Sequence, residues 1–379
     1  MRRLLLAPAL LALAFLLLQP AALAGSRLPA PSVDARAYLV MNGASGDVLL
    51  SKNASERLPI ASLTKLMTVD VALQHLSVDR YVTVSAQAAD VGEESAGLEP
   101  GERILVGDLV RAALIQSAND AADALADASS NGNRPLFVSW MNEEARQLGL
   151  TNTHFARPDG LDAPGHYSSA RDITRLAQWV MGMPEVSQAV RLRTSTIAGG
   201  RVLTTWNDLL GVFPGVVGVK TGHTDDAGWC QVALVVRGGL RIYATILGSP
   251  SREQRNQDLA ALLRFALTRY QLVKVVAAGS PLETVASAYG GPSVPVAATS
   301  SLTVPLRLDR PPVEKLVLPR TVPLPVKQGQ HLGEVRIYSN GKLLGKSELV
   351  AMRSVGKPSL LGKAGWYSGQ TLRNLFGWI

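Results

Sequence analysis

Cysteine is nearly absent from this 379-residue sequence, in which Cys230 is the only one. One cysteine cannot form an intrachain disulfide or supply a cysteine-rich zinc cluster. Cys230 lies in the strand-like segment GWCQVALVV, so we expect a small residue of the core. The sequence also lacks a Walker phosphate-binding loop and an aromatic RNA-binding motif. These absences exclude a disulfide scaffold and argue against a nucleic-acid partner.

Charged residues are also few, at 18% of the chain, whereas hydrophobic residues make up 47%. This balance is typical of a globular protein with a sizeable core rather than of a disordered one. The net charge of +8 is modest for the length. It suits an anionic surface, such as phospholipid or cell-wall polymer, at least as well as nucleic acid.

A long hydrophobic run occurs only at the N-terminus, which reads MRRLLLAPALLALAFLLLQPAALA over residues 1–24. Arg2 and Arg3 precede the apolar run, and Ala22-Leu23-Ala24 is a small-residue cleavage pattern. This pattern predicts a signal peptide cut after Ala24, and hence an exported protein. An uncleaved anchor helix is the alternative, and Pro20 and the Ala-rich end argue against it.

Periodicity divides the rest of the chain into three parts. Residues 25–272 mix strand patterns with amphipathic helix patterns, which predicts an α/β domain. Residues 273–353 contain no convincing helix, are rich in Val, Pro and Gly, and include the hairpin signal Asn340-Gly341. We expect a small, separate all-β domain there. The strand patterns of the first part cover 37–51, 227–236 and 240–247, and its helix patterns cover 62–76, 107–128, 134–149, 171–183 and 252–270.

Residues 354–379 end in an amphipathic segment, SLLGKAGWYSGQTLRNLFGWI. Tryptophan and tyrosine flank an apolar face, as in helices that lie in a lipid interface, and the segment is a poor transmembrane span. It predicts a membrane-anchoring helix, and a terminal helix docked on the protein's own surface is the alternative. The residues of the apolar face are Leu361, Leu372, Leu375, Phe376 and Ile379.

The segment PIASLTKLMT places Ser62 and Lys65 three residues apart where a helix pattern begins. Residues at this spacing share one face of a helix, so a serine nucleophile could lie beside its own base. A lysine base must be neutral, which requires burial or a nearby positive charge. The free N–H groups of a first helical turn could also stabilise an oxyanion. Alone, this four-residue pattern is common by chance.

Two further motifs follow in order, Ser117-Ala118-Asn119 and Lys220-Thr221-Gly222. Together, S-x-x-K, S-x-N and K-T-G are close to the signature of penicillin-binding proteins and class A β-lactamases. The chain resembles the low-molecular-mass penicillin-binding proteins of the 5/6 type, which are D-alanyl-D-alanine carboxypeptidases. The similar segments, between about 37 and 270, include SANDAADALAD, HFARPDGLDAPGHYSSARDI and VGVKTGHTDDAGWC.

The resemblance implies a transpeptidase-like α/β domain, an antiparallel sheet flanked by helices, then an all-β domain and an amphipathic helix. It implies cell-wall remodelling, with peptidoglycan pentapeptides ending in D-Ala-D-Ala as substrate and β-lactams as inhibitors. It implies no cofactor and no metal. We expect the protein at the periplasmic face of the bacterial inner membrane, where the C-terminal helix would hold it.

The resemblance also implies catalytic roles. Ser62 would attack the penultimate D-Ala carbonyl and form an acyl-enzyme that water hydrolyses. Lys65 would accept the serine proton, and Ser117 would relay a proton to the leaving amine. Asn119 would bind the substrate amide and position Lys65.

The implied substrate-binding residues lie around the third motif. Lys220 and Thr221 would hold the terminal carboxylate, and the charge of Lys220 would help to keep Lys65 neutral. Gly222 would let the substrate lie against the strand. The N–H groups of Ser62 and His223 would form the oxyanion hole.

Two departures from the family pattern are Ala118, where glycine is frequent, and the segment RPDGL, where an Asn-Pro type is expected. Neither is expected to touch a reacting group. Arg255 lies where the family often has an arginine near the substrate carboxylate, but a helix-surface arginine is the simpler reading. Other polar residues are expected to be structural or solvated. They are His75, His154, His166, His331, Glu143 and Glu144.

Two other functions stay open. A class A β-lactamase would need a Glu-x-x-Asn pattern between the second and third motifs, and the loop FARPDGLDAPGHYSSARD does not contain it. A non-catalytic wall-binding scaffold would not need Ser62, Lys65 and Lys220 together.

Overall fold

A computed structural model describes residues 29–376 of the chain, without the side chains of 369, 370 and 372–376. The predicted signal peptide lies outside these residues. So do the side chains of most of the predicted apolar face of the C-terminal helix.

The central sheet of the first part has five antiparallel strands in the order β2-β1-β9-β8-β7. Two short pairs, β3 with β4 and β5 with β6, lie outside it. The strands are β1 Ala37–Asn42, β2 Val48–Lys52, β3 Tyr81–Thr83, β4 Arg103–Leu105, β5 Thr194–Ile197, β6 Arg201–Thr204, β7 Val216–Thr224, β8 Gly228–Arg237 and β9 Leu240–Ser249.

Both faces of this sheet are covered, which explains the unbroken apolar runs of its middle strands. On β8, Val232 and Leu234 pack into one core, whereas Ala233 and Val235 pack into a second core on the opposite face. Successive side chains of a strand point to opposite faces, so a strand buried on both sides is apolar at every position.

Helices form the layers on the two faces. Helix α8 packs on one face against β8 and β9, and α1 and α6 lie on the other. The helices are α1 Lys65–His75, α2 Ala86–Ala89, α3 Val106–Arg111, α4 Asn119–Ser130, α5 Arg134–Gln147, α6 Ala170–Val180, α7 Pro184–Ala189 and α8 Arg252–Leu267. The predicted antiparallel sheet flanked by helices is confirmed.

The second part is all-β, as predicted, and has its own apolar core. Its six-stranded sheet has the order β14-β16-β17-β12-β11-β15, and β10 pairs with β13. The sequence change expected after residue 272 falls within β10. The strands are β10 Tyr270–Val276, β11 Pro281–Ser287, β12 Val294–Ala298, β13 Leu302–Arg307, β14 Val313–Val317, β15 Thr321–Val322, β16 His331–Ser339 and β17 Lys342–Ala351.

The chain then forms α9, Leu360–Phe376, so the predicted C-terminal helix is confirmed as a helix. Its first half touches the β part, where Trp366 and Tyr367 pack edge-on against Tyr289. Leu360 and Leu361 remain 85% and 87% exposed. Within residues 29–376, no helix combines the length and apolar character that crossing a bilayer requires.

Candidate active site

Ser62 lies on a tight 3₁₀ turn, Ala61–Thr64, rather than on the α-helix itself. We call this segment the Ser62 turn. Helix α1 begins directly after it, at Lys65. Residues i and i+3 eclipse in a 3₁₀ geometry, so Lys65 Nζ lies only 2.7 Å from Ser62 Oγ. The predicted serine–lysine pair therefore exists, built on a tighter turn than the α-helical spacing suggested.

Lys65 Nζ contacts three polar atoms. Besides Ser62 Oγ, it lies 2.7 Å from Asn119 Oδ1 and 2.6 Å from the carbonyl oxygen of Asp159. Asn119 Nδ2 donates to the Gly92 carbonyl, which fixes Oδ1 towards the lysine. These two oxygens can only accept, so they take both N–H groups of a neutral amine. The nitrogen lone pair is then left for the hydroxyl proton of Ser62.

Burial favours this neutral form. The side chain of Lys65 is completely buried, and burial lowers its pKa from 10.5 to about 8. The carboxylates of Asp159 and Asp123 oppose that shift. Burial, rather than the charge of Lys220 expected from the resemblance, is therefore the main cause of the lowered pKa.

The second and third motifs meet on the other side of Ser62. Lys220 Nζ donates to Ser117 Oγ at 2.7 Å and to the Thr221 carbonyl at 2.9 Å. Ser117 has a left-handed backbone, with φ of 72°, between a π-helical turn and α4. This conformation turns the chain so that the hydroxyl faces β7 instead of continuing the helix. Burial, followed by the charge of Lys65, lowers the pKa of Lys220 well below its usual range.

Gly222 brings β7 against the Ser62 turn. A Cβ on Gly222 would lie 3.0 Å from both the Ile60 carbonyl oxygen and the Ser62 backbone nitrogen. Contacts that short would require the Ser62 turn to shift by a few tenths of an ångström, so glycine favours this close approach. The reason for glycine is thus packing against the chain itself, in addition to the substrate clearance that the resemblance implied.

The three motifs line one pocket of about 230 Å³. His223 is exposed at its edge, with its ring 4.1 Å from that of Trp229. Several other residues that line this pocket are not among the predicted site residues, because they lie outside the three catalytic motifs. They are Glu93, Glu94, Leu161, Trp206 and Trp229.

Arg255 also lines the pocket and is only 1% exposed, so the helix-surface interpretation of this arginine is wrong. Its guanidinium lies over the Trp229 ring at 5.5 Å and donates to Asp208 and Asn256. Burial lowers its pKa to about 10, so it keeps its positive charge near neutral pH. Arg255 thus places a cationic group at the pocket, and Ser117 and Thr221, which accept from Lys220, line the same pocket.

The family model for D-alanyl-D-alanine carboxypeptidases matches residues 25–251, and that for the C-terminal domain of penicillin-binding protein 5 matches residues 270–357. The chain belongs to the D-alanyl-D-alanine carboxypeptidase family. Carboxypeptidase DacF of Bacillus subtilis is 30% identical, with 94% of this chain and 96% of that one covered.

Solved structures of similar proteins support this family assignment. Penicillin-binding protein 5 of Haemophilus influenzae is 29% identical, with a TM-score of 0.64, 87% of this chain and 100% of that one covered. Penicillin-binding protein D2 of Listeria monocytogenes, solved with cefotaxime, is 32% identical, with a TM-score of 0.58, 63% of this chain and 100% of that one covered. The predicted family and serine carboxypeptidase activity are confirmed, in preference to the β-lactamase and scaffold alternatives.

The loop RPDGL contacts the predicted base Lys65, contrary to expectation, because the Asp159 carbonyl accepts from Lys65 Nζ. Arg157 and Asp159 form a two-bonded ion pair within this loop. Burial alone would raise the pKa of Asp159, but the bonds from Arg157 and the Leu161 N–H hold it below its usual value. The Asp159 carboxylate is thus close enough to Lys65 to favour the charged form of that lysine.

Among the other polar candidates, Cys230 and His75 have structural environments, and one prediction needs correction. Cys230 is buried, as expected, and burial raises its pKa to about 11. His75 stacks on Trp140 at 4.1 Å. Glu143 is exposed, but Glu144 is only 8% exposed, so the prediction of a solvated pair is wrong for Glu144. Within residues 29–376, no cluster of three His, Cys, Asp or Glu side chains could hold a metal.

Proposed function

We propose that Ser62 is the nucleophile of this carboxypeptidase and Lys65 its general base. The observation that carries the proposal is the environment of Lys65 Nζ, whose two obligate acceptors leave its lone pair for Ser62 Oγ at 2.7 Å. The serine proton passes to Lys65 as Oγ attacks the carbonyl of the penultimate D-Ala. Asn119 holds the amine in place through Oδ1 and binds the substrate amide.

The leaving amine needs a proton when the tetrahedral intermediate collapses. Ser117 lies within reach of the same pocket, and its hydroxyl accepts from Lys220 Nζ, which leaves its own proton free to move. We assign Ser117 as the relay that protonates the departing D-Ala. Backbone N–H groups of Ser62 and His223 stabilise the oxyanion. Water then hydrolyses the ester on Ser62.

The free carboxylate of D-Ala-D-Ala is recognised by positive charge. Lys220, Thr221 and Arg255 lie on the β7 and α8 side of the site, and Thr221 and Arg255 line its pocket. An anion there gains charge-assisted hydrogen bonds from partly desolvated donors. A β-lactam carries a carboxylate and a strained amide in similar positions, so it acylates Ser62 as well. The cefotaxime complex of the Listeria relative supports this assignment.

The test is release of D-alanine from a peptide ending in Lys-D-Ala-D-Ala, together with the mass of the penicillin-treated protein. The protein should release D-alanine and gain the mass of one penicillin, and Ser62→Ala should do neither. Ser139→Ala, which removes an exposed serine of α5, is the matched control and should behave as the parent. Release that persists in Ser62→Ala would refute the assignment of the nucleophile.

We further propose the chain layout inferred from the sequence, with a cleaved signal peptide at 1–24, a catalytic domain at 25–272, an all-β domain at 273–353 and a membrane anchor at 354–379. The protein would act at the periplasmic face of the inner membrane, trimming peptidoglycan pentapeptides and so influencing cell shape. Exposed leucines at the start of α9 support the anchor.

Flotation with anionic phospholipid vesicles tests the anchor. Leu360→Glu with Leu361→Glu should lower the bound fraction, because charge on the inserting face opposes burial in lipid. Leu343→Glu alters a 47% exposed leucine on β17 and serves as the control, with binding unchanged. Equal binding by all three proteins would remove α9 from the proposal.

A further inference from the structure

A buried chain of hydrogen bonds lies beneath the Ser62 turn. The Ala156 N–H donates to Nδ1 of His166 at 3.0 Å, and Nε2 of His166 lies 2.7 Å from Thr64 Oγ1. Thr64 Oγ1 in turn donates to the carbonyl of Ala61 at 2.8 Å. His166 is 6% exposed and Thr64 is completely buried. This hydrogen-bond chain ends on Ala61, the residue immediately before Ser62.

The hydrogen bonds of this chain all run in one direction, from the Ala156 N–H towards the Ala61 carbonyl. A backbone N–H can only donate, so Nδ1 of His166 carries a lone pair and the ring proton sits on Nε2. Nε2–H then donates to Thr64 Oγ1, and the hydroxyl proton is left for the Ala61 carbonyl. Burial, the main cause, lowers the pKa of His166 to about 4, so the neutral ring is kept near neutral pH. Every donor is matched to an acceptor.

The hydrogen-bond chain ends at Ala61, whose backbone conformation is unfavourable. Ala61 has a φ of 49°, in the left-handed region that is unfavourable for a residue with a Cβ. Gly160 presses on the same carbonyl, since a Cβ built there would lie 2.3 Å from Ala61 O. Gly222 closes on the other side, against the Ser62 nitrogen. Gly160 and Gly222 thus restrict the Ser62 turn by packing, whereas Thr64 restrains it from within through a side-chain hydrogen bond.

We propose that His166 is a positioning residue for the acylation step: through Thr64 Oγ1 it holds the left-handed Ala61 and so keeps Ser62 Oγ aligned with Lys65 Nζ. The inference rests on the proposed role of Ser62 as nucleophile. His166 is separate from the residues that line the substrate pocket. Its loss should therefore slow the covalent step and leave the first, non-covalent binding of ligand almost unchanged.

Stopped-flow acylation by a fluorescent penicillin separates these two steps. In the full-length protein, Thr64→Val replaces the hydroxyl by a methyl group of similar size, and His166→Ala removes the ring. Each should lower the acylation rate constant by about 10- to 100-fold, the range expected when a reacting group is displaced by roughly an ångström, with the dissociation constant of the first complex within about twofold.

Conservative variants distinguish positioning from general stability. Thr64→Ser keeps the hydroxyl, and His166→Gln offers an amide oxygen to Ala156 and an N–H to Thr64, so both should recover most of the lost rate. Because the two residues act in one chain, His166→Ala combined with Thr64→Val should be no slower than the slower single variant. Melting temperatures measured alongside show whether each variant folds.

The outcomes are distinct. If the parent protein is not acylated at all, the proposed function fails and not this inference alone. If the parent is acylated but Thr64→Val reacts at the parental rate, the inference is overturned. Additive losses in the double variant, or a loss confined to the first binding step, would overturn it equally.

Discussion

The pKa of Lys65 gives a quantitative prediction. A lysine with a pKa of about 8 is neutral in roughly one molecule in ten at pH 7, whereas at the ordinary value of 10.5 it would be neutral in about one in three thousand. Burial therefore raises the population of the active base by about 300-fold, equivalent to about 3 kcal/mol. In the proposed mechanism, acylation of Ser62 requires that neutral form.

The substitution Asp159→Asn should change the pKa of Lys65. The Asp159 carboxylate stabilises the charged form of Lys65, and its removal also leaves the Arg157 guanidinium without its ion-pair partner. Both effects disfavour protonated Lys65, so its pKa should fall. The side chain keeps its shape, and the carbonyl that accepts from Lys65 Nζ belongs to the backbone, so the contact itself remains.

The assay is the second-order rate constant for acylation by penicillin between about pH 5.5 and 10, a range over which the penicillin carboxylate stays ionised. The parent rate should climb up to tenfold per unit below about pH 8 and level off above it. Asp159→Asn should move the inflection to lower pH. Asp162→Asn, in the same loop but bonded to Thr224, should not. An inflection that is absent, or that moves upward in Asp159→Asn, would refute the reasoning.

Three further variants test the packing and charge of the site. Gly222→Ala should lower the acylation rate by about 10- to 100-fold, because its methyl group would crowd the Ser62 N–H, and single-turnover acylation measures this. Arg255→Gln should raise the KM for a D-Ala-D-Ala peptide by about tenfold or more, whereas Arg252→Gln, which shares Asp208 but stacks on Trp206, should change KM far less. Arg134→Ala should lower the free energy of unfolding by about 3–5 kcal/mol, because it leaves the buried side chains of Asp123 and Asp127 without their ion-pair partner. Unfolding in urea measures this loss, and an unchanged transition midpoint would contradict the prediction.

Local signals in the sequence account for most of what could be predicted. The Ser62–Lys65 pair, Ser117 with Asn119, and Lys220 with Thr221 are each set by short motifs, and the strands and helices around them follow simple periodicity. The contact between Lys65 and the Asp159 carbonyl could not be predicted in this way. It joins residues 94 apart in sequence through a backbone atom, so no side-chain type at position 159 signals it.

The two burial errors, at Arg255 and Glu144, have a common physical origin. On α8, Arg255 shares a face with Leu259 and Leu262, and on α5 Glu144 shares a face with Phe137 and Met141, all of them buried. Each is a charged residue at an apolar position of its helix, where residue type predicts exposure and position predicts burial.

Position was the better guide, because a charged group on a buried face must be paired to be tolerated. Arg255 meets this condition through Asp208 and Asn256, and the same enclosure keeps its charge poorly solvated at the edge of the Ser62 pocket. Arg255 interrupts the apolar face of α8 where that face borders the site, so it is placed to bind an anion there, and Arg255→Gln tests this role.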